Sequence, residues 1–361
     1  MIKKTTCLLA ALIVSFNIYA QQIAIGLKTE ANTNLLHWNG VAAANNKRLF
    51  ADFPRSAKGK NPSVIEIKNG REIPFPGGDW NEWQPGKDTK TAFVCINALY
   101  MDRKENHLWV VDAGDPFGEG HLKGAPKLVE IDLKSNKVLN NFLIDEEYAP
   151  NGSHLNDMRI VGDNVFISES RIGSILILNR KTRKIRRLLA ASTLTKADSS
   201  VHPVVNGLSL QGANGKTTIL NVDDIELSPD GHTFYFMSPF GPNLYRIAVA
   251  DLLNEGLTDR DLEKRVTIDQ KLNPVGGIIM DTKGNLYLSE VETNSIRCIG
   301  PDKKTKWVLH DDRLIWPDAY SITPDGTVYV AIAQNSNLPF MHHGQDVQKP
   351  PFYIFSFKAA D

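Results

Sequence analysis

The sequence predicts an all-β protein, a six-bladed β-propeller, on three observations. One strand-turn-strand unit recurs six times, further strands follow each copy, and helical periodicity is scarce while Asp-Gly, Asn-Gly and Lys-Gly turns are frequent. The clearest copies are VGGIIMDTKGNLYLSE from Val275 and PDAYSITPDGTVYVA from Pro317. With Ile278 and Tyr320 placed in one column, the other copies begin at Val41, Leu99, Met158 and Ile225. Such spacing suits four-stranded blades joined by loops of variable length.

The outer strands of the first five blades are read from SVIEIKNGREIPF, KLVEIDLKSNKVLNNF, SILILNRKTRKIRRLL, NLYRIAVADL and SIRCIGPDKKTKWVL. The sixth blade runs out of sequence after FYIFSFK, so a strand from within Ile23 to Trp38 is expected to complete it and close the ring. The longest interval, from Met158 to Ile225, contains VNGLSL. That segment lacks a turn and second strand of its own and reads as an insertion rather than a seventh blade. A pair of β-sandwich domains would give no reason for one motif to recur six times.

Residues 1–20, MIKKTTCLLAALIVSFNIYA, place Lys3 and Lys4 before an apolar run that ends in a small-residue site at Ala20. They read as a secretory signal peptide, followed by a single propeller domain over 21–361 in an exported protein, periplasmic or extracellular. The run is short for a bilayer span and no later stretch is longer, so no transmembrane segment is expected. The 41 basic and 41 acidic residues cancel. The one dense basic block, Arg180 to Arg187, reads as a charged hairpin on a blade edge, so no nucleic-acid partner is expected and the chain is expected to be a monomer. Without a G-x-S-x-G elbow, a P-loop or a dinucleotide fingerprint, serine-hydrolase and nucleotide chemistry have no support, and no nucleotide, flavin or haem is expected. Cys95 and Cys298 fall in opposite blades of a six-fold ring, too far apart for a disulfide.

The innermost strands of a propeller line its channel, so the residues ahead of them should crowd around one opening. Two residues before each aligned start stand Asn39, Asn97, Asn156, Asp223, Gly276 and Asp318. The five Asn and Asp residues would form an oxygen-rich cage suited to a divalent cation, calcium preferred. Their alternative use is to cap strands by bonding local backbone. The second strands end near the same face at Asp112, Glu169 and Glu290. Asp157, Glu169 and Glu290 are the candidate acid–base residues, and Asp112, His154 and Trp316 the candidate ligand contacts. Salt bridges to Arg159 and Arg171 are the competing use of the carboxylates. Blade packing is the competing use of Trp316, Trp80 and Trp83.

Four stretches, NALYMDRKENHLWVVDAGDP with KLVEIDL, LNDMRI with VFISESRIGSILILNRKTRK, IELSPDGHTFYFMSPFGPNLYRI, and GGIIMDTKGNLYLSE, resemble the yellow and major royal jelly protein family over nearly all of residues 21–361. The resemblance implies secretion, six blades, and pigment chemistry such as dopachrome conversion, or storage and small-amine binding. A more distant likeness is to the senescence marker protein and gluconolactonase family, calcium-dependent lactone hydrolases. There Asn156 and Asp223 would be metal ligands, whereas the ligating aspartate of that family aligns with Gly276. The reading is therefore a propeller that binds a small cyclic or aromatic metabolite in its channel, as a metal-assisted tautomerase or isomerase. A lactone hydrolase and a non-catalytic secreted binding protein stand as the alternatives.

Overall fold

The computed structural model describes residues 26–55, 62–116, 118 and 120–361; the expected signal peptide lies outside them. Six four-stranded antiparallel sheets form the six blades. Their innermost strands are Val41–Ala43, Ile96–Asp102, Leu155–Val161, Asp224–Leu227, Val275–Met280 and Pro317–Ile322. The strand Lys28–Thr33 pairs with the final strand Phe352–Lys358, so the sixth blade takes its outermost strand from the start of the described chain. This closure removes the open edge that an isolated last blade would present.

Each second strand is apolar at consecutive positions because both faces of a blade are covered. In blade 2, Leu108 and Val110 point into the layer shared with blade 1, while Trp109 and Val111 point into the layer shared with blade 3. The same sharing continues around the ring, with separate apolar layers between every successive pair of blades and between blades 6 and 1. The glycines of the Asp-Gly and Lys-Gly turns, Gly231, Gly284 and Gly326, adopt positive φ, as tight hairpins between inner strands require.

Contrary to the expectation that VNGLSL lacks a turn and second strand, it turns at Asn206 and Gly207, both at positive φ, and pairs Val204–Val205 with Leu208–Ser209; as a separate two-stranded sheet it is still an insertion between blades 3 and 4 and not a seventh blade. Gln211 bridges to His342 in the long loop of blade 6. Val205, Leu210, Phe240, Val291, Trp316, Ala333 and Met341 form one apolar cluster, so insertion and loop together cover the strand-start side of blades 4 to 6. The basic block is a hairpin whose charges are used locally. Arg183 lies over the Phe142 ring, Lys184 pairs with Glu255, Arg186 donates to the Leu252 carbonyl and Arg187 donates to Ser174 Oγ. Cys95 and Cys298 are buried, free thiols in blades 2 and 5. Among the described residues no helix is long and apolar enough to cross a membrane.

Candidate functional site in the central channel

The inner strands do not begin regularly. Their pairing to the second strands shifts between Ile96 and Ala98, Leu155 and Met158, Val275 and Ile278, and Pro317 and Tyr320. These bulges contain Asn97, Asn156 with Asp157, the Gly276-Gly277 pair, and Asp318. A bulge re-aims side chains, and here it turns successive polar residues toward one axis.

A cavity of about 900 Å³ runs along that axis, with Asn97, Asn156, Asp157, Asp223, Asp224 and Asp318 in its wall. Its other end is rimmed by exposed hairpin-turn residues, among them Lys104, Lys283 and Asp325. The residues immediately ahead of the polar ring, Trp38, Ile96, Leu155, Val222, Val275 and Pro317, are buried. The cavity wall begins at the Asn/Asp ring, which is therefore its inner end and not its mouth, and on that side the insertion and the blade 6 loop pack over blades 4 to 6.

The ring residues have unequal uses. Asn39 is buried and donates its amide to the Asn97 carbonyl at 2.7 Å, and Asn97 in turn donates to the Asn156 carbonyl at 3.2 Å. These two asparagines tie blade 1 to blade 2 and blade 2 to blade 3. Asn97 Oδ1 accepts from His154 Nε2 at 3.0 Å, which leaves little of Asn97 for a ligand. Asp318 Oδ1 accepts from the Trp316 indole at 3.0 Å and from Asn335 at 2.9 Å. Asp157 is ion-paired with Arg159 at 2.7 Å, and Arg159 also grips Glu226. Of the five residues expected to form an oxygen cage, Asn97, Asn156, Asp223 and Asp318 share one cavity wall, whereas Asn39 lies outside it.

What does converge is acid. Burial, the nearby Asp157 and a weaker opposing hydrogen bond from Asn156 leave the Asp223 carboxyl raised to about 7. Asp224 and Asp318 are raised well above the ordinary carboxylate range, first by burial and then by Asp223. Asp224 escaped the sequence reading, although the Asp-Asp doublet of VDDIEL was its signal.

Three of the expected side chains serve the fold instead. Asp112 is completely buried, accepts from the backbone of Val94, Cys95 and Gly114, and pairs with Lys127 at 2.6 Å. Glu169, also completely buried, accepts from the backbone of His154, Arg171, Ile172 and Gly173. Glu290 is buried against Asn273 and Arg297. Each carboxylate at the end of a second strand clamps the loop beside it, which explains why acidic residues recur there without reaching the cavity. Trp316 is likewise a core residue, edge-on to Phe240 at 6.0 Å, and not a stacking platform. Trp80 packs on Phe93, and Trp83 is buried under Arg55. His154 sits above Asn97 and is pushed down to about 4, chiefly by burial and then by Arg171. It is neutral at physiological pH and holds the ring from behind.

Gly276 and Gly277 have a steric cause. A Cβ on Gly276 would lie 2.8 Å from the Pro317 carbonyl oxygen, and one on Gly277 would lie 1.7 Å from that of Asp318. Blade 6 presses its backbone against blade 5 at the point where a lactonase-type aspartate would stand.

Ring closure, inter-blade packing and an acidic cavity on the axis together define a six-bladed β-propeller with a channel site. The model of the major royal jelly protein family matches residues 98–355, and the chain belongs to that family. Among solved structures it is similar to a streptogramin B lyase, at 12% identity and a TM-score of 0.52, covering 93% of this chain and 98% of that one. It is also similar to virginiamycin B lyase from Staphylococcus aureus, at 12% identity and a TM-score of 0.51, covering 93% of this chain and 100% of that one. At this identity the likeness concerns the fold alone. A comparison with curated proteins finds no match.

Proposed function

We propose that this is an exported propeller whose channel binds a small cyclic or aromatic metabolite carrying positive charge, with Asp223 as the acid–base group for its tautomerisation. The observation that carries the reading is the convergence of Asp223, Asp224, Asp318 and Asp157 at the buried end of one cavity. Like charges brought together in a water-poor site stay protonated unless a cation joins them, so the site favours a ligand that brings positive charge. A carboxyl titrating near neutrality can both take and return a proton at physiological pH. Asp223 therefore replaces Asp157, Glu169 and Glu290, whose oxygens are engaged by arginines or backbone.

A calcium ion resident in the ring fits less well, because calcium takes oxygen ligands, and Asn97 Oδ1 already faces His154 Nε2 while Asp318 Oδ1 already accepts two hydrogen bonds. The lactone-hydrolase alternative is weakened at Gly276 and Gly277, where no base can stand.

The test is calorimetric titration of the purified mature chain with dopamine and with catechol, which lacks the ammonium, followed by prolonged incubation with dopaminochrome and absorbance monitoring. Preferred binding of dopamine, weakened in Asp223→Asn, supports the site. Conversion of dopaminochrome that Asp223→Asn abolishes supports the tautomerase. Binding without conversion leaves a secreted binding protein. Equal affinity for dopamine and catechol sinks the cationic reading, and stoichiometric calcium by elemental analysis would restore the metal cage.

A further inference from the structure

The cavity is acidic at its buried end and different further out. Arg103, at the turn after the inner strand of blade 2, lies in its wall. The Arg103 guanidinium donates to the Ala43 carbonyl at 2.9 Å, to Asn45 Oδ1 at 3.0 Å and to Ser321 Oγ at 3.3 Å. All three are neutral oxygens. Burial pushes its pKa down, and the groups that act against this are the phenols of Tyr100 and Tyr329, not a carboxylate. The other arginines of the same wall are compensated, Arg159 by Asp157 and Glu226, and Arg180 by Asp102 within 3.7 Å. Among the described residues Arg103 is thus a partly buried cation without an acidic partner, facing an empty volume. A guanidinium so placed is a fork for a planar anion.

Its position relative to the acids is fixed by the sixth blade. Ser321, which Arg103 touches, stands three residues along the inner strand from Asp318, a backbone separation of at most roughly 10 Å because the strand bulges between Pro317 and Tyr320, and this sets the scale of the gap between guanidinium and acids. Tyr100, under Arg159, and Tyr320, bonded to Ser289, belong to the same wall. With a hydrogen bond of about 3 Å at each end, the gap accepts a molecule whose charged groups are a few bonds apart, with a ring alongside the two phenols.

We infer that the channel's ligand is a zwitterion, its cationic group held by Asp223 and Asp318 and its carboxylate by Arg103: an aromatic or cyclic amino acid rather than a simple amine. This rests on the cationic site proposed above and narrows its ligand class.

Three probes with one ring decide it: tyramine, tyrosine and 3-(4-hydroxyphenyl)propionate, titrated calorimetrically into the wild-type mature chain and into Arg103→Met and Arg103→Lys. Tyrosine is expected to bind about tenfold or more tighter than tyramine, the scale of one charge-assisted hydrogen-bonded contact. The ratio should fall toward one in Arg103→Met and recover partly in Arg103→Lys. Circular dichroism melts of both variants check the fold, and the wild-type ratio alone is informative if either variant unfolds. Equal binding of tyrosine and tyramine, or a ratio that survives Arg103→Met, overturns the zwitterion while leaving the cationic site standing. Failure of tyramine and tyrosine alike, with the propionate bound, overturns both.

Discussion

The Gly277 α-carbon faces the Asp318 carbonyl so closely that a methyl group there would sit 1.7 Å from the oxygen. Neither backbone can yield cheaply, since Asp318 is anchored by Trp316 and Asn335 and Gly277 lies in the bulge of blade 5. Gly277→Ala is expected to destabilise the chain by at least about 2 kcal/mol, the cost of forcing atoms into a packed site. Urea unfolding measures it, and a midpoint unchanged from wild type would show that the blades can slide apart. Because the same contact positions Asp318, the variant should also weaken ligand binding at temperatures where it remains folded.

Asp112 and Lys127 form an ion pair at 2.6 Å with both side chains fully buried. Lys127 also donates to the Thr89 and Ala125 carbonyls, and Asp112 gathers three backbone amides, so removing the ammonium leaves a buried carboxylate short of its counter-charge. Lys127→Met is expected to cost about 3–5 kcal/mol in denaturant unfolding. Its folded fraction should bind channel ligands with wild-type affinity. A large change in affinity with little change in stability would return Asp112 to the site.

Much of the fold was legible because propeller blades repeat their local chemistry. Asp-Gly turns, two-sided apolar strands and the missing fourth strand of blade 6 are all local or countable, and each has its counterpart in the structure. The site was legible only in outline. Alignment located the ring, since bulges occupy equivalent positions in blades 2, 3, 5 and 6, but it could not say which side of the ring is covered. That depends on the insertion after Leu189 meeting the loop after Ala333, a contact between segments far apart in sequence. The same blindness misplaced Asp112, Glu169 and Glu290. A strand-end carboxylate that clamps its own loop and one that faces a cavity look alike in a sequence. Arg103 was passed over because a turn arginine ordinarily faces water.

Asp52 holds the same strand-end position in blade 1, accepts from the Gly40 amide, and has its other oxygen buried without a partner. Among the described residues no lysine or arginine compensates here, and burial raises its carboxyl to about 7. Between the ordinary aspartate value and 7 the folded chain keeps a proton that the unfolded chain has lost. Stability from this group is therefore full below about pH 4 and falls as pH rises, by up to about 1.4 kcal/mol per unit, until the folded value is passed. Asp52→Asn retains the hydrogen bond to Gly40 and removes the charge. It is expected to raise the melting temperature at pH 8, leave it nearly unchanged at pH 4, and flatten the slope between. Identical pH profiles for variant and wild type would place the slope elsewhere.

Asp223 gives the ligand site a pH dependence of opposite sense for binding. Its carboxyl, raised to about 7 by burial and by Asp157, is largely protonated at pH 6 and ionised at pH 8. A ligand that stays cationic over this range meets a neutral site below 7 and a charged one above it. Affinity should rise with pH toward a plateau, by at most tenfold per unit, as binding takes up the ionised form. Bound cation in turn pulls the Asp223 pKa down, so proton release on binding should be greatest near pH 6 and vanish by pH 8. Calorimetry in two buffers of different ionisation enthalpy reads that proton directly. In Asp223→Asn the release near pH 6 should fall and the affinity vary less with pH, with what remains set by the other raised carboxyls, Asp224 and Asp318. A variant that releases as much proton as the wild type would move the titrating role to Asp224 or Asp318, and with it the acid–base chemistry of the channel.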